Sequence, residues 1–224
     1  MSPVGRRHGS GSARGRHGER GAVAVEAALV LPIIFTMLFG IIEVTLLIRD
    51  DVALTSASRT GARVASAAAG AGPGVCETGP QAPPCTPASA PALAQAAADA
   101  IQRAGSAMPK DAIDYILVYR ANSAGVPGPE GVTSMPASCA GVASCVKFVW
   151  RDSADAFRYD SGAWDSRTVN GCVNESDTLG VYLHATHTPV TGLFGSIGLE
   201  DRAVMKFEPL SDDTCKSTRP HPHP

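Results

Sequence analysis

The longest apolar run in the chain lies near its N-terminus, over residues 22–48. Its polar side chains are Glu26, Thr36, Glu43 and Thr45. The stretch from residue 27 to residue 42 carries no charge at all. A helix of this length would be ~40 Å long, which exceeds the ~30 Å hydrocarbon core of a bilayer. The pattern therefore predicts a transmembrane helix over residues 22–48.

The helix is predicted to continue beyond the membrane, because no proline occurs before Pro73 and the intervening residues favour helix to about Ala69. Small residues recur at every fourth position in this extension, at Ala53, Ala57, Gly61, Ala65 and Ala69. Such spacing lets another backbone approach closely, which predicts a packing seam. The alternative is that alanine is simply abundant in this segment.

The remainder of the chain predicts one more helix and about four strands. Apolar side chains at helical spacing place the helix at residues 92–108. β-Branched and aromatic residues, in part alternating with polar ones, place strands at 112–121, 145–152, 179–188 and 200–209. Residues 122–137 are predicted as a linker or exposed loop, and the turn signal between Tyr159 and Trp164 as a short hairpin or loop.

These elements predict an α+β protein in which a long N-terminal transmembrane helix continues into an extracytoplasmic domain with a second helix and a small, mainly antiparallel sheet. Five segments follow in order: a basic, irregular leader (1–21), the transmembrane helix (22–48), its outer extension (49–72), the α+β domain (73–210) and a flexible tail (211–224).

Charge is divided unevenly along the chain. Its 224 residues have a net charge of −2, yet the first 21 carry five arginines and one glutamate, which leaves −6 for the remainder. An arginine-rich flank predicts a cytoplasmic N-terminus by the positive-inside rule. The apolar run is longer than the core of a secretory signal, so a retained anchor is favoured over a cleaved signal peptide.

All six cysteines follow the apolar run. Their even number on one side of a predicted span indicates an oxidising compartment with up to three disulfides. Six cysteines allow 15 connectivities. Closing the shortest loops would pair Cys76 with Cys85, Cys139 with Cys145 and Cys172 with Cys215.

Common catalytic and metal-binding motifs are absent from the sequence. It has no nucleophile elbow, phosphate-binding loop or zinc-protease motif. His184 and His187 are three residues apart on a predicted strand, so their side chains should point to opposite faces rather than form a pair. The cysteines lack the paired spacing of a zinc site. We therefore expect no catalytic residues, no cofactor, no bound metal and no nucleic-acid partner.

Glu26 is the one charge near the start of the apolar run, and it is the fifth residue after Gly21. Cleavage between Gly21 and Ala22 would create an α-amino group near this carboxylate, within one chain or between neighbours. The same position lies about one turn inside the predicted helix, near the positive end of its dipole. Gly21 and Ala22 are thus a candidate processing site, and Glu26 a candidate for charge compensation.

A basic leader, a glycine and a glutamate five residues into an apolar helix resemble the type IV prepilin class. The fuller pattern resembles the TadE-like family of pilus-assembly proteins. The residues that carry this resemblance are Arg20, Gly21, Val25, Glu26, Ala28, Leu29, Leu31 and Pro32, followed by Gly61, Ala62 and Arg63. Residues 179–209 are similar to the end of TadE-like chains, more loosely.

The resemblance implies a non-enzymatic, single-pass minor pilin or pseudopilin that takes part in assembling tight-adherence (Flp-type) pili or a related secretion apparatus. Its implied partners are other pilin-like subunits, pilus-assembly proteins, membrane lipid and a prepilin peptidase. Two alternatives stay open on the sequence: a membrane-anchored adhesion domain with no pilus role, and an anchored extracytoplasmic hydrolase. The hydrolase would require acidic and histidine side chains to converge in one pocket.

Overall fold

The computed structural model describes residues 16–72, 90–104, 108–192, 195–210 and 215, with side chains from residue 21 onward. The chain divides into two compact units, with the boundary between Thr45 and Leu46.

The first unit consists of the N-terminal part of helix α1, which spans Arg16–Ala67 and is 52 residues long. The helix begins inside the predicted leader, so the expectation of an irregular leader does not hold for residues 16–20. Helix propagation explains the difference, because each residue added to an existing helix gains a hydrogen bond without a new nucleation cost. Residues 1–15 lie outside the described part of the chain.

Pro32 lies inside α1 without ending it. Proline has no N–H, so the carbonyl of Ala28 lacks its usual helical donor. Two threonine hydroxyls in this unit donate back to carbonyls of the preceding turn, Thr36 to Pro32 and Thr45 to Ile41, each at 2.8 Å. Both polar side chains are therefore satisfied within the helix, as a lipid environment requires.

The second unit contains the outer part of α1, helix α2 and one sheet. Helix α2 spans Ala92–Ala104. The strands are β1 (Ile113–Arg120), β2 (Cys145–Arg151), β3 (Ala156–Ala163), β4 (Thr178–His187) and β5 (Ile197–Lys206). All four pairings are antiparallel, in the order β3-β2-β1-β4-β5. The predicted α+β fold class with a small antiparallel sheet is confirmed.

The estimate of about four strands is wrong, because the segment predicted as a hairpin or loop forms β3. Its Asp160, Ser161 and Gly162 signal a turn locally, but the segment pairs with β2 across a register shift. Gly162 has a φ of +93°, and a Cβ there would lie 2.5 Å from Cβ of Cys139. Long-range pairing and a close approach at glycine therefore override the local turn signal.

Two predicted boundaries also differ. Helix α2 ends at Ala104, and Met108 is not helical, whereas the prediction extended to residue 108. Strand β5 begins at Ile197, three residues before the predicted start. Both shifts occur at element ends, where local sequence is least decisive.

Both helices contribute to a core on one face of the sheet. Alternate side chains of the strands point to this side, including Val118, Phe148 and Leu183, which are completely buried. Gln95 and Gln102 of α2 donate to the carbonyls of Phe157 and Asp155 at 3.3 and 2.8 Å. These contacts fix α2 against β3 and the turn that precedes it.

A smaller core lies on the opposite face, where Leu117 and Tyr119 of β1 pack with the Cys139–Cys145 disulfide. The segment between β1 and β2 is therefore more than the exposed loop predicted for residues 122–137. Asn122 organises it, because its side-chain amide donates to the carbonyls of Pro129 and Val132 at 3.0 and 2.9 Å. Val126 is buried beneath this loop.

The small residues at every fourth position lie in the core of the second unit, and the last of them, Ala69, follows the end of α1. Ala53, Ala57, Ala65 and Ala69 are buried, and a Cβ at Gly61 would lie 2.7 Å from Cδ1 and Cγ1 of Ile101 in α2. We call these four alanines and Gly61 the small-residue seam. The chain's own domain occupies this seam, so it is an intramolecular packing surface.

Gly61→Leu should destabilise the second unit by about 1–3 kcal/mol, because the new side chain would overpack against Ile101, which is completely buried. Ser56→Leu is the matched control on an exposed position of the same helix, with an expected change within about 0.5 kcal/mol. Urea unfolding of the detergent-solubilised chain, followed by tryptophan fluorescence, measures both. Equal stability of the two variants would contradict the packing described.

Candidate functional site

The first unit presents an uncovered apolar surface. Every side chain from residue 21 to residue 39 is exposed. Leu29 and Met37, for example, are 68% and 66% exposed. An apolar surface of this length requires lipid or other helices around it. Within the described residues, α1 is the one helix long and apolar enough to cross a membrane.

The candidate processing site lies within this helix. Gly21, Ala22 and Glu26 are exposed residues of α1, and a Cβ at Gly21 would meet no other atom within 4 Å. Because the helix begins at Arg16, Glu26 lies almost three turns from its N-terminus, where the helix dipole no longer has a strong effect. The expected stabilisation by the dipole is therefore weak in the uncut chain.

Three residues of α1 attach the helix to β4, β5 and the segment after β5 at regular intervals, Asp50 and Ser58 through their side chains and Ser66 through its main-chain carbonyl. Asp50 Oδ2 lies 2.7 Å from Nδ1 of His187, the last residue of β4, and the two side chains are 9% and 5% exposed. Ser58 donates to a carboxylate oxygen of Asp201 in β5. The carbonyl of Ser66 accepts from the backbone N–H of Glu208 at 3.0 Å.

We call Asp50, Ser58 and Ser66 the polar row of α1. Its members are eight residues apart, or ~12 Å along the helix, and all three are buried. Local sequence does not predict this row, because the partners lie far away in the chain. For the two side-chain contacts, a signal is the pair of short polar residues, Asp50 and Ser58, eight positions apart on an alanine-rich helix.

Arg49 pairs with Asp50, the first member of the polar row, and balances its negative charge. Its Nη2 lies 3.1 Å from Oδ1 of Asp50, and its side chain is about half exposed. Asp50 is thus held between a guanidinium and an imidazole. Burial of a carboxylate is tolerated when such partners satisfy its oxygens. The arrangement fixes the end of β4 beside the helix, two residues beyond the predicted span.

The two histidines point to opposite faces of β4, as their spacing predicts. Nδ1 of His184 lies 2.7 Å from Oδ2 of Asp114, which also accepts from Thr186 at 2.8 Å. The His184 ring stacks on Tyr115 at a centroid distance of 5.2 Å. Across the described residues, no hydroxyl or thiol is hydrogen-bonded to Nε2 of His184. The acidic and histidine side chains are therefore divided between the two sheet faces.

Metal-binding groups are not assembled in the described ranges, where no three His, Cys, Asp or Glu side chains are placed to hold an ion.

Tyrosines occupy the second sheet face. Burial raises the pKa of Tyr119 to about 12, and its hydroxyl donates to the carbonyl of Gly125 at 3.0 Å. Burial and a hydrogen bond to Glu200 raise the pKa of Tyr182. Both side chains are neutral structural donors.

Disulfides join Cys139 to Cys145 and Cys172 to Cys215, with Cα–Cα distances of 5.2 and 5.7 Å. These pairings are the ones given by closing the shortest loops. The expected pairing of Cys76 with Cys85 lies outside the described residues. The first disulfide fastens the loop over the second sheet face, and the second joins Cys215 to the segment that precedes β4.

The side of α1 opposite the small-residue seam remains open. Val52, Ser56, Arg59 and Arg63 are exposed at helical spacing, and we call them the outer helix face. In the described part of the chain neither arginine forms an ion pair. The second unit thus leaves a basic helical stripe available to a partner.

Asp50→Ala should lower the free energy of unfolding of the second unit by about 1–3 kcal/mol, because it leaves the buried His187 imidazole without its acceptor. Asp51→Ala, at an exposed neighbouring position, should change it by less than about 0.5 kcal/mol. A double-mutant cycle with His187→Ala isolates the pair. Additive effects of the two substitutions would show that they do not interact.

Comparison with known proteins places one segment in a family. Residues 21–63 match the family model described as TadE-like protein. No curated protein matches the chain. No solved structure matches it either. The match covers the apolar helix and the outer helix face, but does not reach the loosely similar residues 179–209. The resemblance to the TadE-like family is therefore confirmed for residues 21–63, and it supports an association with the Tad pilus.

Proposed function

We propose that this protein is a single-pass minor pilin or pseudopilin that takes part in assembling tight-adherence (Flp-type) pili or a related secretion apparatus. The proposal rests on one observation, that the two parts of α1 expose different surfaces. Its apolar N-terminal part is exposed over residues 21–39, while its outer part uses the small-residue seam for its own domain and leaves the outer helix face open.

The proposed topology follows from charge and cysteines. The arginine-rich leader, residues 1–21, lies in the cytoplasm, and residues 22–48 span the membrane. The helix extension, the domain of residues 73–210 and the tail of residues 211–224 lie outside the cytoplasm. Disulfides in the second unit support this placement, because they persist in oxidising compartments.

Assembly is proposed to occur by lateral packing of helices. Within the membrane, the exposed apolar side chains of α1 contact lipid or the equivalent helices of pilin-like subunits. Outside it, the outer helix face contacts partner subunits, with Arg59 and Arg63 favouring an acidic surface. The small-residue seam takes no part in these contacts, because Ile101 and the rest of the core already cover it.

Cleavage between Gly21 and Ala22 would give Glu26 a role in charge compensation. Hydrolysis of the Gly21–Ala22 bond by a prepilin peptidase leaves a carboxylate on Gly21 and an ammonium group on Ala22. Glu26 is then the fourth residue after Ala22, a rise of ~6 Å. A unit charge pair at ~6 Å is worth ~3 kcal/mol at an effective dielectric constant of 20. That is comparable with the ~3 kcal/mol cost of an acidic residue in a membrane helix.

The Gly21–Ala22 bond lies inside α1, which adds one requirement for its cleavage. A peptidase must unwind the helix locally to reach the backbone between Gly21 and Ala22. Gly21 favours this step, because glycine costs a helix up to ~1 kcal/mol relative to alanine. The uncut chain would therefore open more readily at this position than at the neighbouring valines and alanines.

The mature protein should begin at Ala22 when it is isolated from cells that contain a prepilin peptidase. Intact mass and N-terminal sequencing measure this directly. Glu26→Ala should leave the protein in the membrane with its leader removed, yet reduce its recovery with other pilin-like subunits, because the new ammonium group loses its counter-charge. Val25→Ala is the matched control, since it changes a neighbouring exposed side chain without removing a charge.

An intact N-terminus at Met1 or Ser2 would instead favour a membrane-anchored adhesion domain without a pilus role. Normal co-recovery of Glu26→Ala with its partners would contradict charge compensation while leaving the processing result in place. The two readouts therefore separate cleavage from assembly.

A further inference from the structure

We propose that the second unit rests on the lipid bilayer through the segment after β4, centred on Val190, so that the protein contacts the membrane at a second place besides its transmembrane helix. This inference rests on the proposed membrane span of residues 22–48. It assigns a lipid surface as the partner of an exposed apolar side chain that has no role in the domain's own core.

The position of this segment is set by the contact between Asp50 and His187. Asp50 lies two residues beyond the proposed span, or ~3 Å along the helix. His187 ends β4 and lies 2.7 Å from it. Three residues of extended chain reach at most ~11 Å, so Val190 stays close to the level at which α1 leaves the bilayer.

The apolar side chains at this end of the unit are uncovered. Val190 is 78% exposed, the highest exposure among the large hydrophobic residues described, and Ile48 on α1 is 57% exposed. Val190 also shares a groove of about 560 Å³ with Leu46, Arg49 and Pro109. An exposed apolar group beside the end of a membrane helix is expected to enter the interface between headgroups and acyl chains.

Charge at this end argues for an apolar contact rather than attraction to anionic lipid. The guanidinium of Arg49 is already paired with Asp50. Asp51 and Asp111 are exposed nearby and outnumber Lys110, which lies between Pro109 and Asp111, so the surface carries no excess of positive charge. Attraction of a protein to anionic headgroups requires a cluster of basic residues. Contact with the bilayer should therefore be equally strong with and without anionic lipid.

The opposite end of the unit supplies a matched control. Val173 is 53% exposed and lies two residues from Gly171, where a Cβ would be 3.1 Å from Cβ of Ala69. Asp50 and Ala69 are separated by 19 residues of chain, most of them in α1, or ~29 Å at the helical rise. Val173 is thus an exposed valine held far from the proposed membrane surface.

The test places tryptophan at each position in the full-length chain, as Val190→Trp and Val173→Trp. Each variant is reconstituted into phosphatidylcholine vesicles with bromine on the acyl chains of both leaflets, so that insertion direction does not matter. The unsubstituted chain gives the background from Trp150 and Trp164. The tryptophan at 190 should be quenched about twofold more than that at 173, because an interfacial apolar side chain lies ~5–10 Å into the headgroup and acyl boundary.

The measurement is read on protein that floats with the vesicles and resists alkaline extraction. In such protein, equal quenching at the two positions would overturn the inference and leave the membrane span intact. Failure to float would instead contradict the proposed span. Quenching at 190 that appears only with added phosphatidylglycerol, or that high salt abolishes, would also overturn the proposal, since it would indicate attraction to charged headgroups.

Discussion

The outer part of α1 packs against its own sheet, and this contact determines which surfaces of the second unit stay exposed. One helix carries the exposed apolar surface of the first unit and a buried face of the second. In the second unit, Gly61 allows a close approach to Ile101 of α2, while Asp50, Ser58 and Ser66 bond to the sheet and the segment that follows it. Small side chains bring few contacts, so the polar row fixes the register of the helix on the sheet.

This arrangement determines which surfaces remain for partners. Residues 52, 56, 59 and 63 lie opposite the buried face, and the matched family segment ends at the last of them. The sheet's second face is already covered in part by the loop that Asn122 and the Cys139–Cys145 disulfide hold in place. The helix is therefore the element through which the domain and its proposed partners would be connected.

The sequence predicted what depends on local pattern. The apolar run, the helical extension, most strands and the opposite orientation of His184 and His187 follow from periodicity alone. It could not predict β3, because its turn-like residues become a strand only through pairing with β2. Nor could it identify the partners in the polar row, since 137 residues separate Asp50 from His187. The packing seam was found in the sequence, but it packs within the chain's own core, with Gly61 against Ile101 of α2.

The most direct test of this account is photo-crosslinking from the outer helix face of the full-length chain in cells that assemble the pilus. A crosslinking amino acid is placed singly at Val52, Ser56, Arg59 or Arg63, and at the exposed controls Val173 and Val204. We expect adducts with pilin-like subunits from the helix positions and none from the controls. Adducts from the controls alone, or none from any helix position, would contradict it.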